Sequence, residues 1–435
     1  MNKLSAILSA PIDTLSGYGG RTRDLAHALL QVKGEEWDIK FLSQRWGSCP
    51  FGALDPKNPK DKILLDRIVD ANTITTQPDI WMQVSVSNEF QPYGKVNIGF
   101  SALVESNILP AEMLEGLNRM TFNIVSSNFS KKVASESYFE RLDENTKQKV
   151  GIARLEKPIE VLFEGVDVTK FNRIDNSTFD LSSIKEEFCY LAVAHWLAGD
   201  IFQDRKQLTT LIYSFLNAFK NKKKRPALIL KTSLAGFSIT EEEQLLNNID
   251  QIRKNFTGDL PNIYLLHGEL SETEMNELYN HPKVKAFALV GNEGFGRPYL
   301  EFSAASSKPI IASPWSGHTD FLDPEFNLFV DGNLEQVHSS AVNTFIIKES
   351  QWFKASNVSV SSALVEMYEN YPRYAEMGKR QGHKSRNVFS YNKMVEKLDE
   401  ILSANVPKIS RPVAITLPKL NKITKLDIEY LEEIK

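Results

Sequence analysis

Cysteine is scarce: Cys49 and Cys189 are the only two among 435 residues. Two thiols cannot staple a secreted domain, and they do not suggest a zinc cluster. Positive charge is not in excess either, with 51 lysines and arginines against 55 acids and a net charge of −4. That excludes a uniformly basic nucleic-acid binder, though not a local basic groove. Long apolar runs are missing. No window approaches the ~18 uninterrupted apolar residues of a spanning helix, so no membrane span is expected. The opening residues 1–9 turn polar too soon for a secretory signal, and a cytoplasmic location is the expectation. No internal repeat or low-complexity tract stands out.

What is present reads as an ordinary globular chain. Apolar residues are 42% and charged residues 24%, enough to bury a full core. Short apolar runs alternate with helical patterns. The run at 4–8 ends in Gly17-Tyr18-Gly19-Gly20, and Leu25, Ala28, Leu29 and Val32 follow at helical spacing. Residues 80–86, 96–100 and 122–125 read as strands, and 161–163 closes this set. A second set begins near residue 188, with strands at 190–194, 227–230, 263–266, 286–290 and 309–312. Leu208, Leu211, Ile212, Phe215, Leu216 and Phe219 form an amphipathic stripe. Thr240-x-x-Glu243 and Ser271-x-x-Glu274 read as capping boxes. Alternation of this kind implies an α/β chain with parallel sheets covered on both faces.

The most informative segment runs from Gly291 to Glu301: Gly-Asn-Glu-Gly-Phe-Gly-Arg-Pro-Tyr-Leu-Glu. It follows a strand and opens a helix, with Pro298 suited to the first helical position. Gly294 and Gly296 permit close approach of a ligand to the backbone. The helix start would attract an anion. Glu293 and Glu301 can face a crevice at the carboxyl end of the sheet, where carboxylates accept hydrogen bonds from sugar hydroxyls. A glycine turn with two surface acids is the plain alternative.

Glu293-x7-Glu301, with Gly-Phe-Gly between, resembles the retaining GT-B glycosyltransferases of glycosyltransferase family 4. The resemblance covers most of the chain. It includes Gly17-Tyr18-Gly19-Gly20, the stretch 103–110 with Asn118, the stretch 125–131, Gly165-Val166-Asp167 with Phe171, Asp204-Arg205-Lys206 and Phe389-Ser390-Tyr391. It implies two Rossmann-like domains facing across a cleft: an acceptor domain at 1–170, a nucleotide-sugar domain at 171–388, a closing helix at 389–403 that returns to the first domain, and a basic tail at 404–435. Between 405 and 425 that tail carries Lys408, Arg411, Lys419, Lys422 and Lys425 without an acid.

The resemblance also implies roles. Lys206 and Arg205 would hold the donor diphosphate and stabilise the departing phosphate. Glu293 would bind donor-sugar hydroxyls, with the amides of Gly294, Phe295 and Gly296 lining the pocket. Glu301 would bind the ribose, Gly268 in the His267-Gly268-Glu269 turn would frame the base, and Gly17, Gly19 and Gly20 would close against the phosphates. Glu105 is the acid best placed to touch sugar or acceptor, with a core or cap role equally open. Where many relatives have Gly-Arg after the second domain's first strand, this chain has Ala194-His195-Trp196. The first-domain histidine of many relatives is also absent, and His27 reads as structural. No Asp-x-Asp motif occurs, so no metal and no cofactor is expected. The donor would be a nucleoside-diphosphate sugar, UDP-linked by preference, transferred with retention.

Residues 78–92 resemble a segment of glycosyltransferases encoded by tailed phages, some of which glycosylate hydroxymethylated cytosine. Duplex DNA, met in the host cytoplasm, is therefore the leading acceptor, helped by Lys131-Lys132, by Lys220 to Arg225 and by the tail. Polysaccharide, lipid-linked sugar and protein stay open as acceptors. A nucleotide-sugar epimerase and a non-catalytic binding protein stay open as other classes.

Overall fold

The computed structural model describes residues 3–143, 145–196, 200–234 and 236–409. In the strand β1 (Leu4–Ala10), Ala6, Leu8 and Ala10 enter one core while Ile7 enters another. That period of two marks a strand buried on both faces. After β1 come α1 (Gly17–Lys33), β2 (Trp37–Ser43), α2 (Pro59–Leu65), β3 (Ile80–Val84) and β4 (Val96–Ser101). Then follow α3 (Ala111–Arg119), β5 (Phe122–Val125), α4 (Asn128–Glu136), the hairpin strands β6 (Tyr138–Leu142) and β7 (Lys149–Arg154), and β8 (Ile159–Val161). The first sheet has six parallel strands in the order β2-β1-β3-β4-β5-β8.

The second half repeats the plan. Its elements are β9 (Cys189–His195), α5 (Leu208–Phe219), β10 (Ala227–Ser233), α6 (Ile239–Arg253), β11 (Ile263–Leu266), α7 (Glu272–Asn280) and β12 (Val284–Ala288). They continue with α8 (Arg297–Ser306), β13 (Ile310–Ala312), β14 (Leu328–Phe329) and the antiparallel pair β15 (Gly332–Gln336) and β16 (Gln351–Ala355). The second sheet also has six parallel strands, ordered β11-β10-β9-β12-β13-β14. From β9 the chain builds outward on one side and then returns to the other. The carboxyl ends of β9 and β12 therefore flank the topological switch point, where open α/β sheets bind ligands.

The chain crosses between the halves twice, and the crossings touch. Val166 bridges Ser390, and a Cβ on Gly165 would lie 2.6 Å from the Cα of Tyr391. After α9 (Asn357–Glu369) and α10 (Tyr371–Val388), the last helix, α11 (Tyr391–Asn405), returns to the first sheet. Met394, Val395, Leu398, Ile401 and Leu402 of α11 join the core under α1. Side chains buried this fully stabilise by ~1.5–3 kcal/mol each.

Local readings shift in three places. The box ahead of α6 is Ser238 with Glu241, not Thr240 with Glu243. Glu241 also accepts from the Gly236 amide, which fixes the helix start two residues earlier. The box at Ser271 and Glu274 forms as read. The strands expected at 161–163 and 286–290 lie at Ile159–Val161 and Val284–Ala288. Their apolar runs continue past the last ladder pair into buried loop residues Leu162, Leu289 and Val290. Of the basic tail, everything beyond residue 409 lies outside the described residues. No helix among those described is long and apolar enough to cross a membrane.

Candidate active site

The loop after β9 ends in Asp204-Arg205-Lys206 before α5. Asp204 is buried and acts as the helix cap: its carboxylate accepts from the Leu208 amide at 2.7 Å and from the Thr209 hydroxyl. Gln207 takes the left-handed conformation with φ 51°. Its side chain anchors that strained turn to β16, donating to the Phe353 carbonyl at 2.7 Å and accepting from the Ala355 amide at 2.8 Å. A turn held this firmly presents Lys206 in one direction.

The loop after β12 meets it there. A Cβ on Gly291 would lie 2.2 Å from the Lys206 carbonyl oxygen, so only glycine lets the two loops touch. Lys206 Nζ lies 2.5 Å from Glu293 Oε2 and donates to the Asn292 carbonyl at 3.1 Å. Burial lowers the Lys206 pKa, and the neighbouring Arg205 adds to that effect against the opposing carboxylates of Glu293 and Glu105. Arg205 itself reaches across to the first domain and pairs with Glu105. The four residues expected to do chemistry, Lys206, Arg205, Glu293 and Glu105, thus form one alternating cluster of charges.

α8 begins at Arg297, with Gly296 before it at φ 95° and Pro298 at its second position rather than its first. No side chain caps it; Pro298 carries no N–H and the Tyr299 amide donates to the Gly296 carbonyl at 3.1 Å, which leaves the Arg297 amide as the first-turn donor an anion could meet. Gly294 lies against the first domain, its carbonyl accepting from the Ser127 hydroxyl at 2.9 Å. Phe295 packs its ring on Phe321 in the core, so only its backbone can serve a ligand. Glu301 accepts from Arg297 Nε at 2.6 Å, and Arg297 Nη1 reaches Asp24 of α1 at 2.7 Å. Burial raises the Glu301 pKa, while the Arg297 guanidinium pulls the other way.

A cleft cavity of about 760 Å³ opens between the halves. Gly17, Gly20, Arg23 and Asp24 line it from the first, His195, Lys231, Phe237 and Glu269 from the second. Gly19 sits behind, its amide capped by the Ser16 hydroxyl at 2.9 Å. Gly268, at φ 111°, accepts from Lys231 Nζ at 2.6 Å and so shapes the far wall. His195 joins the cavity to the charged cluster. Its Nδ1 lies 2.9 Å from the Ser233 hydroxyl, and burial, reinforced by Lys206, lowers its pKa. His27, read as structural, also lines the cavity wall. Its spacing in α1 had only marked it as helical. Asp24, Arg297 and His195 were not singled out as site residues, although Arg297 lies inside the motif and His195 inside a noted departure. Among the described residues no three His, Cys, Asp or Glu side chains gather into a metal-binding group.

The halves touch one another around the cleft. Besides Arg205–Glu105 and Arg297–Asp24, the Asn128 amide donates to Asp320 at 2.7 Å, and the Gln351 amide to Asn107 at 2.7 Å. Residues 78–92 span β3 and the turn after it, where the Gln83 side chain donates to the Glu89 carbonyl at 3.0 Å and accepts from the Gln91 amide at 2.9 Å. Arg225 forms a forked pair with Asp259 at 2.6 and 2.9 Å, and Lys222 lies 3.8 Å from Glu369.

No family model matches the chain, and no curated protein matches it in sequence. Solved structures do match. Sucrose-phosphate synthase from Thermosynechococcus elongatus superposes with a TM-score of 0.60 at 12% identity, over 93% of this chain and 99% of that one. HepE from Anabaena, in complex with UDP and glucose, gives 0.57 at 12% identity over 92% and 100%. The lipopolysaccharide outer core galactosyltransferase WaaB, in its apo form, gives 0.53 at 11% identity over 92% and 99%. These neighbours are GT-B glycosyltransferases, and the chain has their α/β fold of two parallel sheets about a cleft.

Proposed function

We propose that this protein is a retaining, metal-independent glycosyltransferase. It moves a hexose or pentose from a nucleoside-diphosphate sugar, UDP-linked by preference, to a hydroxyl acceptor. The observation that carries the reading is the meeting of Lys206 and Glu293 at the switch point, beside the uncapped start of α8. HepE, similar in fold, was solved with UDP and glucose, which favours a uridine donor. Residues 171–388 would hold the donor, 1–170 the acceptor, and the helix at 389–403 would tie the two together.

In this reading the donor enters the cleft and its diphosphate takes Lys206 from Glu293. Glu293 is then free to accept from sugar hydroxyls. Lys206, Arg205 and the amides of Gly294, Phe295 and Gly296 meet the negative charge that grows on the leaving phosphate. Gly17, Gly19 and Gly20 bring the first domain's backbone close, Glu301 binds the ribose and Gly268 frames the base. The bond from the anomeric carbon to the phosphate oxygen breaks with its electrons staying on phosphate. The acceptor oxygen bonds the same face of that carbon, and its proton passes to the leaving phosphate. Glu105, paired with Arg205, would hand that guanidinium to the diphosphate and meet the acceptor.

For the acceptor we propose hydroxymethylated cytosine in duplex DNA, encountered in the host cytoplasm by a phage-encoded enzyme. The likeness of residues 78–92 to phage glycosyltransferases supports it. Only a hydroxymethylated base offers the required hydroxyl, and the enzyme would reach it in the groove or flip it out. Incubation with a panel of nucleotide sugars, with unmodified or hydroxymethylated DNA, tests this by mass spectrometry. Sugar on the hydroxymethylated DNA alone is the expected result. Donor turnover with no modified base in any pairing overturns the DNA acceptor and leaves the transferase reading standing.

A further inference from the structure

The positive charges of the cleft are almost all spoken for. Lys206 is paired with Glu293, Arg205 with Glu105, Arg297 with Asp24 and Glu301, and Lys170 with Glu272. Lys231 is tied to the Gly268 carbonyl. Burial keeps His195 below its ordinary pKa, so it brings no fixed charge near neutrality.

Arg23 differs. It lies on α1 one turn after Gly20, behind the glycines of the helix's first turn, and lines the cavity. Its Nη1 donates to the Ile12 and Thr14 carbonyls, each at 3.1 Å. Those two bonds fix the guanidinium against the segment that joins β1 to α1. Nη2 lies 3.8 Å from the place a Cβ would take at Gly20, and both residues line the cavity. Among the described residues no carboxylate lies within ion-pair distance of it, and it is half-buried. A guanidinium kept partly out of water without a counter-ion is costly, and an arriving anion would remove that cost. A guanidinium fork also suits phosphate oxygens better than any other side chain.

We propose that Arg23 is a donor-binding residue that carries the first domain's charge to the diphosphate of the nucleotide sugar. The proposal rests on the nucleotide-sugar reading above. Since Arg23 lies on α1 in the first half while the donor site belongs to the second, a diphosphate bound between them draws the halves together. Arg23 therefore links donor binding to closure of the cleft.

Calorimetric titration of UDP and of uridine onto the full chain tests it, with ADP and GDP run alongside. The wild type, Arg23→Gln, Arg23→Lys and Lys60→Gln are compared through the ratio of UDP to uridine affinity within each protein. That ratio is insensitive to a general loosening of the fold. Arg23→Gln should lower it at least about tenfold, as expected for a lost charged hydrogen bond. Arg23→Lys should restore part of it, and Lys60→Gln, a cavity cation without a placed role, should leave it unchanged. A ratio unchanged in Arg23→Gln, or an equal fall in Lys60→Gln, overturns the assignment while the nucleotide-sugar reading survives. A wild type that binds none of UDP, ADP and GDP overturns that reading, and this assignment with it.

Discussion

Lys206 Nζ and Glu293 Oε2 lie 2.5 Å apart on loops that leave neighbouring strands of one sheet. In the unliganded protein each neutralises the other, so the site is stable without its substrate. The pair sits almost out of water, which makes removing one partner more harmful than removing both. Lys206→Met and Glu293→Gln should each lower the unfolding temperature, and the double variant should lose less than the sum. A coupling of ~0.5–3 kcal/mol is expected from the cycle. Independent losses in thermal melts would show that the two do not interact.

Glu301 is held between burial, which raises its pKa, and Arg297, which opposes that rise. A ribose hydroxyl would bond its charged form. Glu301→Gln should weaken nucleoside-diphosphate binding by ~1–3 kcal/mol, the cost of a charged hydrogen bond. Calorimetry with UDP reads it directly, and an unchanged affinity removes Glu301 from the donor site.

The regular elements were largely legible in the sequence, because their signal is local. The stripe from Leu208 to Phe219 coincides with α5, and residues 122–125 coincide with β5. The loop that brings Gly291 and Glu293 against Lys206 was legible too, since a loop at a switch point concentrates its glycines and acids in a few consecutive residues. Pairings between distant residues were not. Arg297 and Asp24 are 273 positions apart and Arg205 and Glu105 are 100 apart, and no spacing rule joins them. The hairpin of β6 and β7 escaped for another reason. Tyr138, Leu142, Val150 and Ile152 are exposed on it, so burial does not write the usual alternation of apolar and polar residues there.

The Arg297–Asp24 pair crosses the cleft. Asp24→Asn keeps the shape of the side chain and removes the charge. It should favour the open cleft, seen as a larger radius of gyration in X-ray scattering of the free protein, while Ser127 and Asn128 still hold part of the interface. A scattering profile identical to the wild type would assign closure to those other contacts.

His318 lies fully buried beneath α8, stacked on Tyr299 at 4.8 Å, with Nε2 bonded to the Ser313 carbonyl at 2.7 Å. Burial pushes its pKa down to about 4 from the ordinary 6.5. The unfolded chain therefore takes up this proton first as pH falls. The stability tied to neutral His318 is fully present above pH 6.5 and is lost progressively down to pH 4, by about 3 kcal/mol in total. Denaturant unfolding of the wild type and His318→Gln across that range should show the steeper loss in the wild type. Parallel curves would mean that the imidazole does not titrate differently on folding.

In the proposed function, the cluster at the ends of β9 and β12 breaks the bond between a sugar and a nucleoside diphosphate. The most direct test is the rate at which UDP is released from UDP-sugars by wild type and Lys206→Met, with hydroxymethylated DNA and saccharide acceptors present. The wild type should release UDP, and Lys206→Met should be slower by ~10²–10³, the usual loss when a transition-state charge stabiliser is removed. Equal rates in the two proteins, measured where both remain folded, would contradict the account.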